Sequence, residues 1–250
     1  EDQDMIREKY EAVWKQIAER FAKYDEHLIF ESMNEEFDGT YDGDPNKEYY
    51  ANLNQYNQIF VDTVRGTGEK NTHRWLLVPG WNTNIEYTIG DYGFEMPTDE
   101  KCSAGESRMM VSVHYYDPWD YCGIEDLKTI LWGEYGDNLI EVNGFPKMNK
   151  AKWGDESYLD DLFSRMQEKF VKNDIPVIIG EYGCIDKSSA YADFAGQIQG
   201  NRAYWDGYVA GKAASMGMIP VYWDNGFNGV YGFGLFDRNT YCLLYTSDAA

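Results

Sequence analysis

Hydrophobic residues near the start of the chain recur at intervals of three and four positions. This spacing places them on one face of a helix, so the chain is predicted to open with an amphipathic helix packed against a core. The same spacing predicts three later helices, the first of which should start at Asp44-Pro45 and stop at Gly66. The first stripe is Ile6, Tyr10, Val13, Trp14, Ile17 and Phe21, and the later ones lie at 53–64, 158–170 and 204–216.

Five short apolar runs alternate with these helices. Their length and composition favour strands. Strands and helices that alternate along a chain are typical of a parallel sheet, so the sequence predicts an α/β fold. The long stretch after the third run, up to about residue 154, is predicted to be a loop on the substrate side. The runs lie at 28–33, 75–80, 109–115, 176–181 and 218–223.

Polar residues stand at the ends of these runs. Glu35 follows the first run, Glu181 ends the fourth, and His114 and Tyr116 lie at the end of the third. The carboxyl ends of parallel strands meet at one edge, where barrel enzymes build their active sites. A single strand-end glutamate is more often a solvated surface group, and a lone histidine is more often a core residue. Two carboxylates at one sheet edge, however, are what hydrolysis of a glycosidic bond requires, and they favour that chemistry.

Composition and charge limit the kinds of partner. The chain has 250 residues, no break in composition and a formal net charge of −21, which favours one large domain. An acidic protein repels phosphate backbones and anionic lipids, so neither nucleic acid nor a membrane surface is an expected partner. Aromatic residues make up 16% of the chain, with 21 Tyr and 8 Trp. Most should pack the interior, but the surplus favours stacking on sugar rings.

Other classes of site have little support. No run reaches the roughly 18 apolar residues of a membrane span, and the first residues do not form a signal peptide, although a cleaved one could have preceded them. The cysteines lack metal-site spacing and are too few for a disulfide framework in a chain of this length. The sequence therefore predicts neither a metal nor a cofactor. The four cysteines are Cys102, Cys122, Cys184 and Cys242.

The number of strands is smaller than a closed barrel needs. The runs start about 48 residues apart on average, and eight units at that spacing would require roughly 380 residues. We therefore expect an incomplete (β/α)8 barrel that lacks its first three strands. At the other end, residues 241–250 show no helical stripe and read like a translated sequencing adapter. They are expected to be a non-native tail.

Four strand ends and three short phrases together resemble a known family. The strand ends are Asn34-Glu35, His114-Tyr115-Tyr116, Glu181 and Trp223; the phrases are Val-Pro-Gly-Trp-Asn-Thr-Asn at 78–84, Val-His-Tyr-Tyr-Asp-Pro-Trp at 113–119 and Trp-Asp-Asn-Gly at 223–226. In this order and spacing they resemble glycoside hydrolase family 5 (cellulase family A), most closely its endo-β-1,4-glucanase and xyloglucanase subfamily. The resemblance implies a TIM barrel of which strands four to eight are present, with residues 1–240 as the catalytic domain.

The resemblance also implies roles for the strand-end residues. Glu35 would be the acid/base and Glu181 the nucleophile of a retaining glycosidase, with carboxyl groups about 5 to 5.5 Å apart. Asn34 would hydrogen-bond the sugar 2-hydroxyl. His114 and Tyr116 would orient the catalytic carboxylates.

Aromatic residues near the strand ends would contact the sugar. Trp223 resembles the floor of the cleavage subsite, although it could instead be a core indole. Trp81 and Trp119 are candidates for outer sugar platforms. Tyr115 should point to the opposite face of its strand from its neighbours. The implied ligand is a β-glucan polysaccharide or oligosaccharide, met outside the cell.

Two alternatives remain open. The chain could be a catalytically incompetent fragment that keeps an aromatic sugar-binding face, or a subunit of a homo-oligomer whose missing strands come from a second chain. A metal-dependent hydrolase of the same barrel class has little support, because no metal-ligand spacing is visible.

Overall fold

The structure is a computed structural model that describes residues 2–35 and 45–243. The helices are α1 (Gln3–Phe21), α2 (Lys47–Gly66), α3 (Ile85–Ile89), α4 (Trp119–Cys122), α5 (Gly133–Asn143), α6 (Glu156–Lys169) and α7 (Ala195–Ser215). The strands are β1 (Phe30–Glu31), β2 (Leu76–Asn84), β3 (Met109–Tyr115), β4 (Val177–Tyr182), β5 (Ile219–Tyr222), β6 (Phe236–Asp237) and β7 (Cys242–Leu243). No helix in these ranges is both long and apolar enough to cross a bilayer.

Five strands form one sheet, in the order β1-β2-β3-β4-β5 that they have in the chain. β1 and β2 run parallel, with Phe30 opposite Leu76. The middle strand β3 is buried at every position, as expected of a parallel strand covered on both faces. Each of the five predicted runs overlaps one of these strands. The sheet is that of consecutive units of a (β/α)8 barrel, and the predicted fold class is confirmed.

The chain divides into two compact units, and the first comprises Glu1–Val113 and Glu168–Ile178. In this unit α1 packs against α2, and the ring of Trp14 lies 4.4 Å from the ring of Phe60. Arg74 is buried just before β2, and its guanidinium donates to backbone carbonyls at the end of α1 and in the turn before β1. This side chain therefore fixes the approach to the first strand.

The second unit comprises His114–Gln167 and Ile179–Ala250. Large aromatic rings pack together in its core. Trp205 of α7 stacks on Tyr115 at a centroid distance of 5.9 Å. Trp132 meets Trp205 edge-on, and its indole N–H donates to a backbone carbonyl at 2.6 Å. This packing of large rings holds α7 against the end of β3.

The stretch between β3 and α6 is not the loop that the sequence predicts. It contains α4 and α5, so this prediction is wrong. The sequence of α5 has few apolar residues and contains two glycines, and it therefore shows no clear stripe. Its Leu139 packs in a buried cluster with Ile130 and Ile198, and tertiary contacts of this kind, rather than propensity, supply most of a short helix's stability.

The start of α2 also differs from the prediction. Its N-cap is Asn46, whose side chain accepts a hydrogen bond from the backbone N–H of Tyr49. Pro45 precedes this cap, and Asp44 lies outside the described residues. A cap is decided by which side chain meets the free N–H groups of the first turn, and Asn46 and Asp44 are equally good candidates by residue type alone.

The last described residues form a short hairpin. β7 pairs antiparallel with β6, with Phe236 opposite Leu243. This hairpin includes the start of the segment expected to be a tail, whereas residues 244–250 lie outside the described residues. That 241–250 are non-native, and that 1–240 form one catalytic domain, stay predictions.

Candidate active site

Glu181 is the penultimate residue of β4, and two neighbours fix its carboxylate. Oε2 accepts a hydrogen bond of 2.8 Å from the Tyr116 hydroxyl. The same oxygen lies 3.6 Å from Nδ1 of His114, which is 9% exposed. The side chain of Glu181 keeps 19% of its surface exposed. A carboxylate that is held in one orientation and yet open to solvent is suited to reaction with a bound molecule.

β3 delivers the two neighbours of Glu181 by simple alternation. His114 and Tyr116 are two positions apart and therefore share one face. Tyr115, between them, is 1% exposed and meets the ring of Phe163 edge-on at 5.2 Å. Burial raises the pKa of the Tyr115 phenol well above its ordinary value. The prediction that Tyr115 faces the opposite side is confirmed.

Asn34 and Glu35 follow β1, and a buried polar network anchors the backbone just before them. The Ser32 hydroxyl donates to the Asn57 side-chain oxygen at 2.8 Å, and the Asn57 amide donates to a carbonyl of β2 at 3.0 Å. The Tyr10 hydroxyl donates to the Ser32 carbonyl at 3.0 Å. Ser32 and Asn57 are buried, whereas Asn34 is exposed and Glu35 is half-buried.

Sequence reasoning missed Ser32 and Asn57. The available signal was weak: each is a polar residue inside an apolar pattern, Ser32 in the first apolar run and Asn57 on the apolar stripe of α2. Buried polar groups are usually hydrogen-bonded, so such positions indicate a network without identifying its partners.

The three predicted tryptophans lie in different surroundings. The ring of Trp81 stacks on Tyr49 at 5.0 Å with an interplanar angle of 15°. Trp119 is 51% exposed and meets the ring of Tyr116 edge-on at 6.0 Å. Trp223 is 45% exposed, and its backbone N–H donates to β4. The alternative reading of Trp223 as a buried core indole is therefore wrong.

The loop after β5 folds around Asp224, which sequence reasoning did not single out. Its carboxylate accepts backbone N–H groups from Gly226 at 2.7 Å and Leu235 at 3.2 Å, and it lies 3.3 Å from Arg238 Nη2. Partial burial alone would raise the pKa of Asp224, but these donors outweigh it and lower the pKa below its ordinary value. Asp224 is therefore held ionised and ties the two ends of the loop together.

A second perturbed carboxyl lies on α7. Burial raises the pKa of Asp206 to about 7, although the positive charge of Arg202, with Nε 3.9 Å away, opposes the shift. The Cys184 thiol donates to Asp206 at 3.7 Å, and burial raises the pKa of this thiol as well. Asp206, whose side chain is 13% exposed, is thus a carboxyl group that titrates near neutral pH.

Residues 1–229 match the family described as Cellulase (glycosyl hydrolase family 5). The chain belongs to this family. The prediction made from the strand-end motifs is thereby confirmed. Among the relatives of this cellulase-family chain, Endoglucanase A of Paenibacillus barcinonensis is 50% identical over 241 residues, which cover 95% of this chain and 57% of that protein.

Solved structures agree with this assignment. A family 5 xyloglucanase from Paenibacillus pabuli, solved with a ligand, superimposes with a TM-score of 0.87 at 49% identity, covering 97% of this chain and 65% of that one. A Bacteroides ovatus GH5 xyloglucanase in complex with a XXXG heptasaccharide gives a TM-score of 0.82 at 31% identity, covering 97% of this chain and 49% of that one. The cellulase-family chain therefore spans half to two thirds of the length of these relatives.

In this cellulase-family chain the predicted site residues fall into groups at the strand ends. His114, Tyr116 and Glu181 form one cluster, with Trp119 beside Tyr116. Asn34 and Glu35 stand together after β1. The catalytic and binding roles assigned to them, together with those of Trp81 and Trp223, stay predictions.

Proposed function

We propose that this chain carries the catalytic residues of a retaining endo-β-1,4-glucanase. One observation carries the proposal: the Glu181 carboxylate, at the carboxyl end of a parallel strand in a cellulase-family chain, is held by Tyr116 and His114. Such strand ends are where barrel enzymes place their reacting groups. The relatives named above are an endoglucanase and xyloglucanases, which supports this class of reaction.

The proposed reaction has two displacements. Glu181 attacks the anomeric carbon while Glu35 gives its proton to the leaving glycosidic oxygen, so the carbon–oxygen bond to the leaving sugar breaks as a glycosyl ester forms. Glu35, now a carboxylate, then takes a proton from water, and the water oxygen displaces Glu181 from the anomeric carbon. Asn34 binds the sugar 2-hydroxyl, and Tyr116 holds Glu181 in the direction of attack.

We further propose that the substrate is a neutral β-glucan, namely a cellulose-like, mixed-linkage or xyloglucan chain. Exposed Trp119 and Trp223 offer flat faces for sugar rings, and Trp81, stacked on Tyr49, adds a third candidate platform. A neutral polymer also fits a protein with a net charge of −21. Since such polymers are met outside the cell, we expect the protein to be found in the culture supernatant rather than in the cell pellet.

The test replaces each carboxylate in turn and assays hydrolysis of barley β-glucan, xyloglucan and an aryl β-cellobioside. Glu181→Ala and Glu35→Ala should each lower kcat by at least about 10³-fold. Sodium azide should restore turnover of the aryl glycoside, giving the α-glycosyl azide with Glu181→Ala and the β-glycosyl azide with Glu35→Ala, because azide replaces a different group in each. Glu125→Ala, an exposed control, should not change the rate. Wild-type turnover by Glu181→Ala would refute the proposal.

One observation favours a second candidate function. Ile219 and Val221 of β5 are 51% and 46% exposed, whereas strands of a parallel sheet are usually covered on both faces. The chain could then bind oligosaccharides without turning them over, or become active as a homo-oligomer in which a second copy covers β5. Light scattering on a size-exclusion column, with a hydrolysis assay on the same fractions, separates the cases. An active monomer excludes both, an inactive monomer that binds cellotetraose supports the first, and an active dimer supports the second.

A further inference from the structure

Phe233, in the loop after β5, contacts the tyrosine that holds Glu181. The ring centroids of Phe233 and Tyr116 lie 5.9 Å apart with an interplanar angle of 74°. Trp119 makes a second edge contact with the same tyrosine ring, at 6.0 Å and 84°. Edge-to-face pairs of this kind stabilise a ring beyond its burial alone. Tyr116 is thus restrained by two rings while its hydroxyl donates to Glu181.

The backbone of Phe233 is itself fixed on both sides. Its N–H donates to the side-chain oxygen of Asn225 at 3.2 Å. Its carbonyl accepts the Tyr222 hydroxyl at 2.8 Å, and that hydroxyl in turn accepts Arg202 Nη2 at 2.9 Å. Arg202 is buried on α7. The position of Phe233 is therefore set by β5 and α7, and not only by the loop in which it lies.

The ring of Phe233 also lies against the strand that carries Glu181. A Cβ atom added to Gly183 would stand 3.1 Å from Phe233 Cδ1 and 3.2 Å from Tyr222 Cε2. These separations are tighter than ordinary van der Waals contact, so the two rings pack directly on the backbone two residues beyond Glu181. Phe233 consequently contacts both the strand end and the tyrosine.

We propose that Phe233 is a positioning residue, which keeps the Tyr116 hydroxyl on the Glu181 carboxylate. The kinetic consequence rests on the proposed function, in which Glu181 is the nucleophile. Without the Phe233 ring, Tyr116 gains freedom to turn, and the hydroxyl spends less time on Glu181. Misplacement of a reacting group lowers the rate of the chemical step more than the binding of substrate.

The kinetic experiment is a double-mutant cycle on the full chain. Phe233→Ala should lower kcat about 10-fold with KM within about 2-fold, and Phe233→Tyr, which keeps the ring, should restore most of the loss. In a Tyr116→Phe background Phe233→Ala should cost no further rate, because the hydroxyl it positions is gone. Phe227→Ala is the matched control, since Phe227 lies in the same loop and is 56% exposed. Multiplicative losses in the double variant would overturn the proposal.

A second measurement does not depend on activity. The protein is labelled with 3-fluorotyrosine, and the fluorine resonance of Tyr116 is assigned by its absence in Tyr116→Phe. Phe233→Ala should shift or broaden this resonance, and Phe227→Ala should leave it unchanged. An unchanged Tyr116 resonance in Phe233→Ala would overturn the proposal. If the resonance responds but Glu181→Ala keeps full hydrolysis, then the positioning is right and the proposed function is wrong.

Discussion

Arg74 supports the approach to β1, and its replacement by methionine offers a test of how the first unit is held together. The side chain is 1% exposed, and its two terminal nitrogens donate to four backbone carbonyls at 2.5–3.2 Å. Nε donates to the Asn71 side chain at 2.7 Å. Burial lowers the pKa of the guanidinium, but these acceptors offset the cost of burying its charge. The carbonyls belong to Phe21, Tyr24, Asp25 and Leu28.

The expected loss in the free energy of unfolding follows from the carbonyl groups that Arg74 satisfies. Methionine fills most of the space but donates no hydrogen bond, so all four carbonyl groups lose this donor. Those of Phe21 and Asp25 still accept backbone N–H groups from Tyr24 and Leu28, whereas those of Tyr24 and Leu28 have no other donor among the described residues. An unsatisfied buried acceptor costs about 1–3 kcal/mol, and each hydrogen bond lost at the other two carbonyls costs about 1 kcal/mol. Methionine is uncharged, so the variant no longer has the cost of burying a charge, and this offsets part of the lost stability. The net destabilisation by Arg74→Met should be about 4 kcal/mol.

Urea denaturation followed by tryptophan fluorescence measures this change. With a slope of about 3 kcal/mol per molar for a chain of this size, the midpoint should fall by roughly 1.3 M. Arg74→Lys should recover only part of it, because an ammonium group cannot reach acceptors arranged around a planar fork. Arg20→Met is the control, because Arg20 is exposed in the last turn of α1, where a surface charge contributes less than about 1 kcal/mol. Equal midpoints for Arg74→Met and Arg20→Met would refute the reasoning.

Three further predictions concern other parts of the chain. Because the folded-state pKa of Asp206 is about 7 against an ordinary 3.8, the folded state binds the proton more tightly, and the free energy of unfolding falls as pH rises between these values. Between pH 5 and 8 this fall, measured by denaturant titration, should be on the order of 3 kcal/mol smaller in Asp206→Asn than in wild type. An equal fall in Asp206→Asn, or the same effect in exposed Asp193→Asn, would contradict this. Asn57→Ala removes the buried amide that joins β1 to β2 and should cost about 2–3 kcal/mol in the same assay; an unchanged midpoint would show that the network does not hold the strand. Replacing both Ile219 and Val221, exposed on β5, by threonine should reduce self-association in light scattering at an unchanged circular dichroism spectrum; equal scattering would contradict a role of this surface in self-association.

The succession of strands and helices along the chain and the alternation of faces along β3 could be predicted from the sequence, because both are local. Five apolar runs between helical stripes allow few arrangements other than a parallel sheet. Within β3, the period of two places His114 and Tyr116 on one face and Tyr115 on the other, and the structure agrees. Each inference needs only neighbouring residues, so no knowledge of distant contacts is required.

Helix α5 shows where such reasoning fails. Residues 133–143 have two glycines and a weak apolar stripe, and intrinsic preference does not favour a helix there. The helix exists because Leu139 can pack against Ile130 and Ile198, and Ile198 is about 60 positions away. The same limit applies to Arg74: a lone arginine before a strand gives no sign that it will be buried among four carbonyls.

The residues around Glu181 show the same contrast between features set by local sequence and features set by distant contacts. Glu181, His114 and Tyr116 stand at strand ends, and a strand-end pattern is sufficient to find them. Phe233 reaches Tyr116 only because the loop after β5 turns back, and that turn depends on Asp224 and on Asn225 accepting backbone N–H groups eight or more positions away. Site residues at strand ends can therefore be predicted from the pattern of strands, whereas a residue such as Phe233, which contacts them from a loop, depends on how that loop closes. For this chain, variants chosen from motifs alone would test the reaction but not its geometry.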